Sequence, residues 1–194
     1  MARAARKTPT KRRVEPYAQG DLDCMCAIYT IINAVRALCP EMTIGASTAL
    51  FRRLIRSLHT HTNDALSPII IGTNRSLLHK LLKEAQSYVA KRYKAKLDIQ
   101  PQGGAVKAQS LDVVWDRLSA ILDERTVVIL ELGGCCSHWT VLYDVKPRTM
   151  LLLDSRSHCT LGPSKTHYRL KLPAAIAISR VRPPHADRDR SVHE

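Results

Sequence analysis

The spacing of apolar residues changes part-way along the chain, and the change divides it into two halves. Ile28, Ile31, Ile32, Val35 and Leu38 recur at the helical period after Cys26, which predicts a helix over 26–38 that stops before Pro40. Leu50, Phe51, Leu54, Ile55 and Leu58 lie opposite Arg52, Arg53 and Arg56, predicting a second helix over 47–58 and a polar loop from His59 to Asp64. Ile69-Ile70-Ile71 is a short apolar run closed by Gly72. A third helix, capped by Asn74 or Ser76, would bury Leu77, Leu78, Leu81, Leu82, Ala85 and Val89. After a loop over 100–104, Ser110 caps a fourth that carries Val114, Trp115, Leu118, Ile121 and Leu122. Beyond Arg125 the period shortens. Val127–Leu130, His138–Val145, Met150–Asp154, Tyr168–Leu172 and Ala174–Ile178 read as strands, with Lys146-Pro147-Arg148 a turn and Gly133-Gly134 a boundary.

Helices followed by strands predict an α+β fold, a helical N-terminal half packed on a C-terminal antiparallel β-sheet. One domain over 16–180 is expected, between a disordered basic arm at 1–15 and a polar tail at 181–194 opened by Pro183-Pro184. A length of 194 residues suits one such domain with a sizeable core. No apolar run approaches the ~20 residues of a membrane span.

Charge changes the picture more than composition does. The net charge is +13, and residues 1–15 hold six basic side chains against Glu15 alone. Such a balance either attracts nucleic acid, anionic lipid or an acidic protein, or serves only as a solvated surface. No nucleic-acid motif and no basic patch interleaved with aromatics is visible, which argues against nucleic acid as the main partner. The expected partner is a peptide or protein substrate of acidic character. The six cysteines are irregularly spaced, unlike a disulfide-stapled secreted fold, and Met1–Lys7 is basic with no apolar stretch after it, unlike a secretory signal. A cytoplasmic location is therefore expected, the alternative being an effector delivered without a signal peptide.

The chemistry centres on Gln19-Gly20-Asp21-Leu22-Asp23-Cys24-Met25-Cys26. A thiol on the first turn of a helix faces unpaired backbone N–H groups and the positive end of the dipole, both of which favour thiolate. Gln19 is a neutral hydrogen-bond donor nearby. The base is expected in the later hairpin, from His138 with Asp154 as its orienter. An odd-numbered loop centred on Lys146 would set those two directly opposite each other, with Cβ atoms ~5 Å apart. His138 could then take the thiol proton and return it to a leaving group, while Asp154 fixes its tautomer. Gln19 and the Cys26 N–H would stabilise the oxyanion. Asp21 and Asp23 either bind a substrate amine or cap the helix start, and capping is the favoured reading.

Gln19-Gly20-(x)5-Cys26, the helix through Tyr29 and Ile32-Asn33-Ala34, His138-Trp139-Thr140-Val141 and Asp154-Ser155 resemble papain-like cysteine peptidases. The resemblance is closest to the bacterial C39-like branch and runs from Tyr17 to Ser155, specific at its two ends. It implies a papain-like fold, no cofactor, and a thiol hydrolase with Cys26 as nucleophile, His138 as base and acid, Asp154 as orienter and Gln19 as oxyanion donor. Deamidation, transglutamination and cell-wall amide hydrolysis use the same apparatus. The chain departs from the pattern at Cys24 and Ala27, where those relatives carry glycine. Cys24 can be filler, redox partner or nucleophile; its distance from Gln19 and the start of the apolar period favour Cys26.

The rival from another class is a non-catalytic binding or regulatory protein. Cys24-x-Cys26 and Cys135-Cys136-x-His138 hold enough donors for zinc, but their spacing is not that of C-x2-C knuckles. No metal is therefore expected. Trp115 and Trp139 read as core or groove-wall residues, and His59-x-His61 as loop.

Overall fold

A computed structural model of the chain describes residues 14–20, 23–62, 64, 66–102, 111–133, 137–147, 149–156, 160–162, 169–170 and 175–181. Helix α1 occupies Cys26–Leu38, the span expected of its apolar period. Helix α2 runs Ile44–His61, longer at both ends than the apolar stripe. Its cap is Thr43, whose hydroxyl accepts from the Ala46 N–H at 3.2 Å, and its last turn carries His59 and His61 into solvent. The expected loop at His59 therefore begins later. The Ile69–Ile71 run enters a short helix α3, Ser67–Ile70, followed by α4 at Arg75–Tyr93 with Asn74 as its cap. Helix α5 spans Leu111–Ile121; Ser110 lies outside the described residues.

The strands are β1 Lys96–Pro101, β2 Thr126–Gly133, β3 His138–Lys146, β4 Thr149–Leu153, β5 Thr160–Leu161, β6 Arg169–Leu170 and β7 Ile176–Val181. They form one antiparallel sheet ordered β1-β7-β2-β3-β4-β5, with β6 also pairing β2. Strand β1 takes in Gln100 and Pro101, where a loop was expected. Only Leu97 and Ile99 alternate in it, and its partner β7 lies some eighty residues on, in register Ile99↔Ile178.

Both faces of the sheet are covered, which explains the unbroken apolar run of β2. Val127 and Ile129 join Val141, Leu153, Ile176 and Ile178 against α1, α2 and α4. Val128, Leu130 and Leu132 join Leu142, Met150 and Leu152 against Val114 and Leu118 of α5. Helix α1 lies inside this packing, with Ile28 and Ile31 fully buried. Among the described residues no helix is long and apolar enough to cross a membrane.

Candidate active site

Each end of the site begins with local folding rules. Asp23 closes the loop into α1: its Oδ1 accepts from the Met25 N–H at 3.0 Å and its Oδ2 from the Gly20 N–H at 2.9 Å. A Cβ at position 20 would stand 3.0 Å from that Oδ2, so glycine suits the approach. The N-cap of α1 is Met25, with no side-chain cap, so Asp23 closes the preceding loop instead of capping the helix; Asp21 lies outside the described residues. Cys26 is the first residue of α1, and Cys26, Thr30 and Asn33 are spaced i, i+4, i+7, a polar seam on an otherwise apolar helix. All three are buried. The Thr30 hydroxyl donates to the Trp139 carbonyl at 2.8 Å, pinning α1 to β3 one residue from His138. Asn33 accepts from the Tyr17 N–H at 2.8 Å and donates to the Tyr17 carbonyl at 3.2 Å, clamping the strand of chain that leads to Gln19.

His138 and Asp154 meet, though not by the expected register. The turn joining β3 to β4 is two residues long, pairing Lys146 with Thr149 and Val145 with Met150. Continued unchanged, this even loop would put His138 and Asp154 on opposite faces. An irregularity between Leu142 and Asp144 advances the pairing by one, to Leu142↔Leu152 and Val141↔Leu153. One more step sets Thr140, not His138, across from Asp154. The bulge therefore restores the shared face and leaves His138 as the diagonal neighbour, within reach of a side chain of its length. His138 Nε2 lies 2.8 Å from Asp154 Oδ2, with side chains 4% and 0% exposed.

The remaining partners of Asp154 come from its surroundings. The Arg156 N–H donates to Oδ1 at 2.7 Å. Burial alone would push the Asp154 carboxyl up; the bond and charge of His138, the Thr140 hydroxyl and the Arg156 N–H together hold it below its ordinary value. Burial likewise pulls the His138 imidazole down, but hydrogen bonding to Asp154 and to Cys26, and the negative charge of both, lift it to about 9. Nε2 is committed to Asp154, and the Cys26 thiol is the second group whose charge raises the ring.

Gln19 is held from both sides. Its backbone N–H donates to the Ser155 carbonyl at 3.0 Å, and the Ser155 hydroxyl donates to Oε1 at 2.9 Å. That bond fixes the carboxamide, so Nε2 is the end that reaches the Asp23 carbonyl, at 2.8 Å. Three of the four expected residues are thereby linked: Gln19 to Ser155, Ser155 to Asp154 along the chain, and Asp154 to His138, while Cys26 bears on the ring through its electrostatics. Thr140, Ser155 and Asn33 support them and were not foreseen as site residues. Their signals were present: a hydroxyl two residues from His138, one beside Asp154, and an amide on the apolar face of α1.

Cys24 occupies a joint rather than the centre. Its N–H donates to the Ile69 carbonyl at 2.7 Å, and its Cβ stands where a side chain at Gly72 would touch it, 3.9 Å away. Cys24, Cys26 and Cys39 are free thiols, and Cys39 is a buried core residue whose thiol burial pushes up to about 11. Among the described residues no group of three or more His, Cys, Asp or Glu comes together to hold a metal. Cys135 and Cys136 lie outside them. Trp139 is buried in the core and Trp115 donates to the Lys146 carbonyl at 2.8 Å.

No protein-family model matches the chain, and no curated protein compared with it is similar in sequence.

Proposed function

We propose that the protein is a thiol hydrolase on a papain-like fold, of the bacterial C39-like kind, that cleaves an amide through an acyl-enzyme intermediate. The observation that carries this reading is the buried pair of His138 and Asp154, Nε2 to Oδ2 at 2.8 Å, whose ring is raised to about 9 with the Cys26 thiol among the causes. His138 receives the proton of the Cys26 thiol as the sulfur is activated. The sulfur attacks the acyl carbon; the negative charge moves to the carbonyl oxygen. The second N–H of the Gln19 carboxamide and the Cys26 backbone N–H, in the first turn of α1 where helix geometry supplies no acceptor, are the oxyanion donors. As the C–N bond breaks, the His138 proton passes to the leaving amine. Water, deprotonated by the now neutral ring, hydrolyses the thioester and returns the proton to the imidazole. Asp154 keeps the ring oriented throughout, itself held by the Arg156 N–H. The substrate is a peptide or protein amide, and the excess of basic side chains favours an acidic one.

An activated ester tests this without knowledge of the substrate. With p-nitrophenyl acetate, one equivalent of nitrophenol should burst from each chain, with a single acetyl group on Cys26 that turns over. Acetylation spread over lysines, with Cys26 unmodified, contradicts the reading.

A further inference from the structure

Helices α2 and α4 form an antiparallel pair. The Tyr88 hydroxyl, late in α4, donates to the Ala46 carbonyl, early in α2, at 2.8 Å, while Arg53 further along α2 meets Glu84 earlier in α4 at 2.8 Å. The end of α2, the short α3 and the start of α4 therefore make one tip. Three of the large apolar side chains exposed among the described residues sit on it: Leu66 at 63%, Ile70 at 66% and Ile71 at 80% exposure. The tip is anchored from below. The Ile69 carbonyl accepts from the Cys24 N–H at 2.7 Å, the Thr73 carbonyl accepts from the Trp139 indole N–H at 2.8 Å, and Pro68 and Thr73 are buried. Charge of one sign surrounds it. Arg52, Arg56, Lys80 and Lys83 are exposed, and the acids from residue 52 to 84 are Asp64 and Glu84, of which Glu84 is already paired with Arg53. Arg75, His79 and Lys83 are spaced i, i+4, i+8 on α4; burial, then the charges of Arg75 and Lys83, hold the His79 imidazole below its ordinary value.

We propose that this tip docks on an anionic membrane surface, with Leu66, Ile70 and Ile71 entering the headgroup boundary and Arg56 and Lys80 bound to the lipid headgroups behind them. The dimensions agree. Arg56 lies about 8 Å along the axis of α2 from His61 at its end, and Lys80 about 8 Å along α4 from Arg75 at its start. An apolar segment seated on a bilayer sinks by about 5–10 Å, which brings cations at that setback to headgroup level. Side chains more than half exposed do not line a groove for a peptide; a fluid surface that closes around them covers them best. The complement of aliphatics in front and cations behind matches a bilayer with anionic headgroups, where apolar burial and charge attraction add. The inference is independent of the chemistry at Cys26. Its consequence for that site is positional: Ile69 is bonded to Cys24, two residues from Cys26, so a docked tip sets the height of the candidate site above the bilayer.

The test is co-sedimentation of the full chain with vesicles of phosphatidylcholine, alone or mixed with phosphatidylserine at about three to one, in low salt. The mixed vesicles should bind at least about tenfold more tightly than phosphatidylcholine alone. Ile70→Ser/Ile71→Ser and, separately, Lys80→Glu/Lys83→Glu should each weaken that binding about tenfold or more, with the circular dichroism spectrum unchanged. If either double variant fails to fold, Ile71→Ser at the most exposed position and Lys80→Ala carry the test. Absence of binding to the mixed vesicles overturns the proposal. Binding that the isoleucine substitutions leave intact also overturns it, since charge alone, of the kind that attracts an acidic protein, would then account for the attraction. A wild-type dimer dissolved by Ile70→Ser/Ile71→Ser overturns it as well, the tip then being a self-association face.

Discussion

His138 Nε2 and Asp154 Oδ2 stand 2.8 Å apart, although the β3–β4 pairing sets Thr140 across from Asp154. The extra residue at the bulge between Leu142 and Asp144 makes the contact diagonal and keeps ring and carboxylate on one face. Substitutions at Asp154 should separate geometry from charge. Asp154→Asn retains a hydrogen-bonding partner for the ring but removes the charge, so the His138 pKa falls and Cys26 alkylation slows. Asp154→Ala leaves a buried imidazole unpaired and should cost about 3 kcal/mol in urea unfolding. Equal stability of the two variants contradicts this division.

The pH dependence of stability follows from the same pair. The His138 pKa is raised on folding, from an ordinary 6.5 to about 9, so its contribution is complete below 6.5 and is lost as pH rises through 9. The Asp154 pKa is lowered, so its contribution is present above its ordinary 3.8 and is lost as pH falls toward the folded value. Unfolding midpoints should therefore decline between about pH 6.5 and 9 in the wild type and less in His138→Ala. An NMR titration of the ring that finds a midpoint at or below 6.5 contradicts the account.

Gln19 and Ser155 act as a unit. Gln19→Ala should slow acylation by roughly a hundredfold, the scale of one oxyanion donor. Ser155→Ala removes the bond that orients the carboxamide and should cost less, with the effect absent in a Gln19→Ala background. Additive effects of the two substitutions would show that Ser155 acts elsewhere.

Asn33 holds the Tyr17 backbone by two hydrogen bonds while fully buried. Asn33→Leu fills the space but strands those groups, for an expected loss of about 2 kcal/mol and slower acylation of Cys26. Unchanged acylation in a destabilised variant would mean that the clamp supports the fold alone.

Much of this was legible because it is local. The period of Ile28, Ile31, Ile32 and Val35 marked α1 and placed Cys26 at its start, and the turn at Pro147 marked the hairpin that carries His138 and Asp154. The register was not legible, since a bulge beside Tyr143 leaves no trace in an apolar pattern that stays apolar on both faces. Strand β1 escaped because two alternating apolar residues, Leu97 and Ile99, are too few to distinguish a strand from a loop; its identity comes from distant β7. Helix α2 outran its apolar stripe because a cap at Thr43 and helical hydrogen bonding, not burial, set its ends. The supporting residues Thr140, Ser155 and Asn33 acquire their roles only when three separate elements meet.

The most direct measurement is the site-resolved rate of alkylation by iodoacetamide at pH 7 in the wild type and in His138→Ala, with circular dichroism to confirm an intact fold. The account predicts selective reaction at Cys26, ahead of Cys24 and Cys39, and a fall of at least about tenfold when the imidazole is removed. Comparable labelling of several cysteines, indifferent to His138, would contradict it.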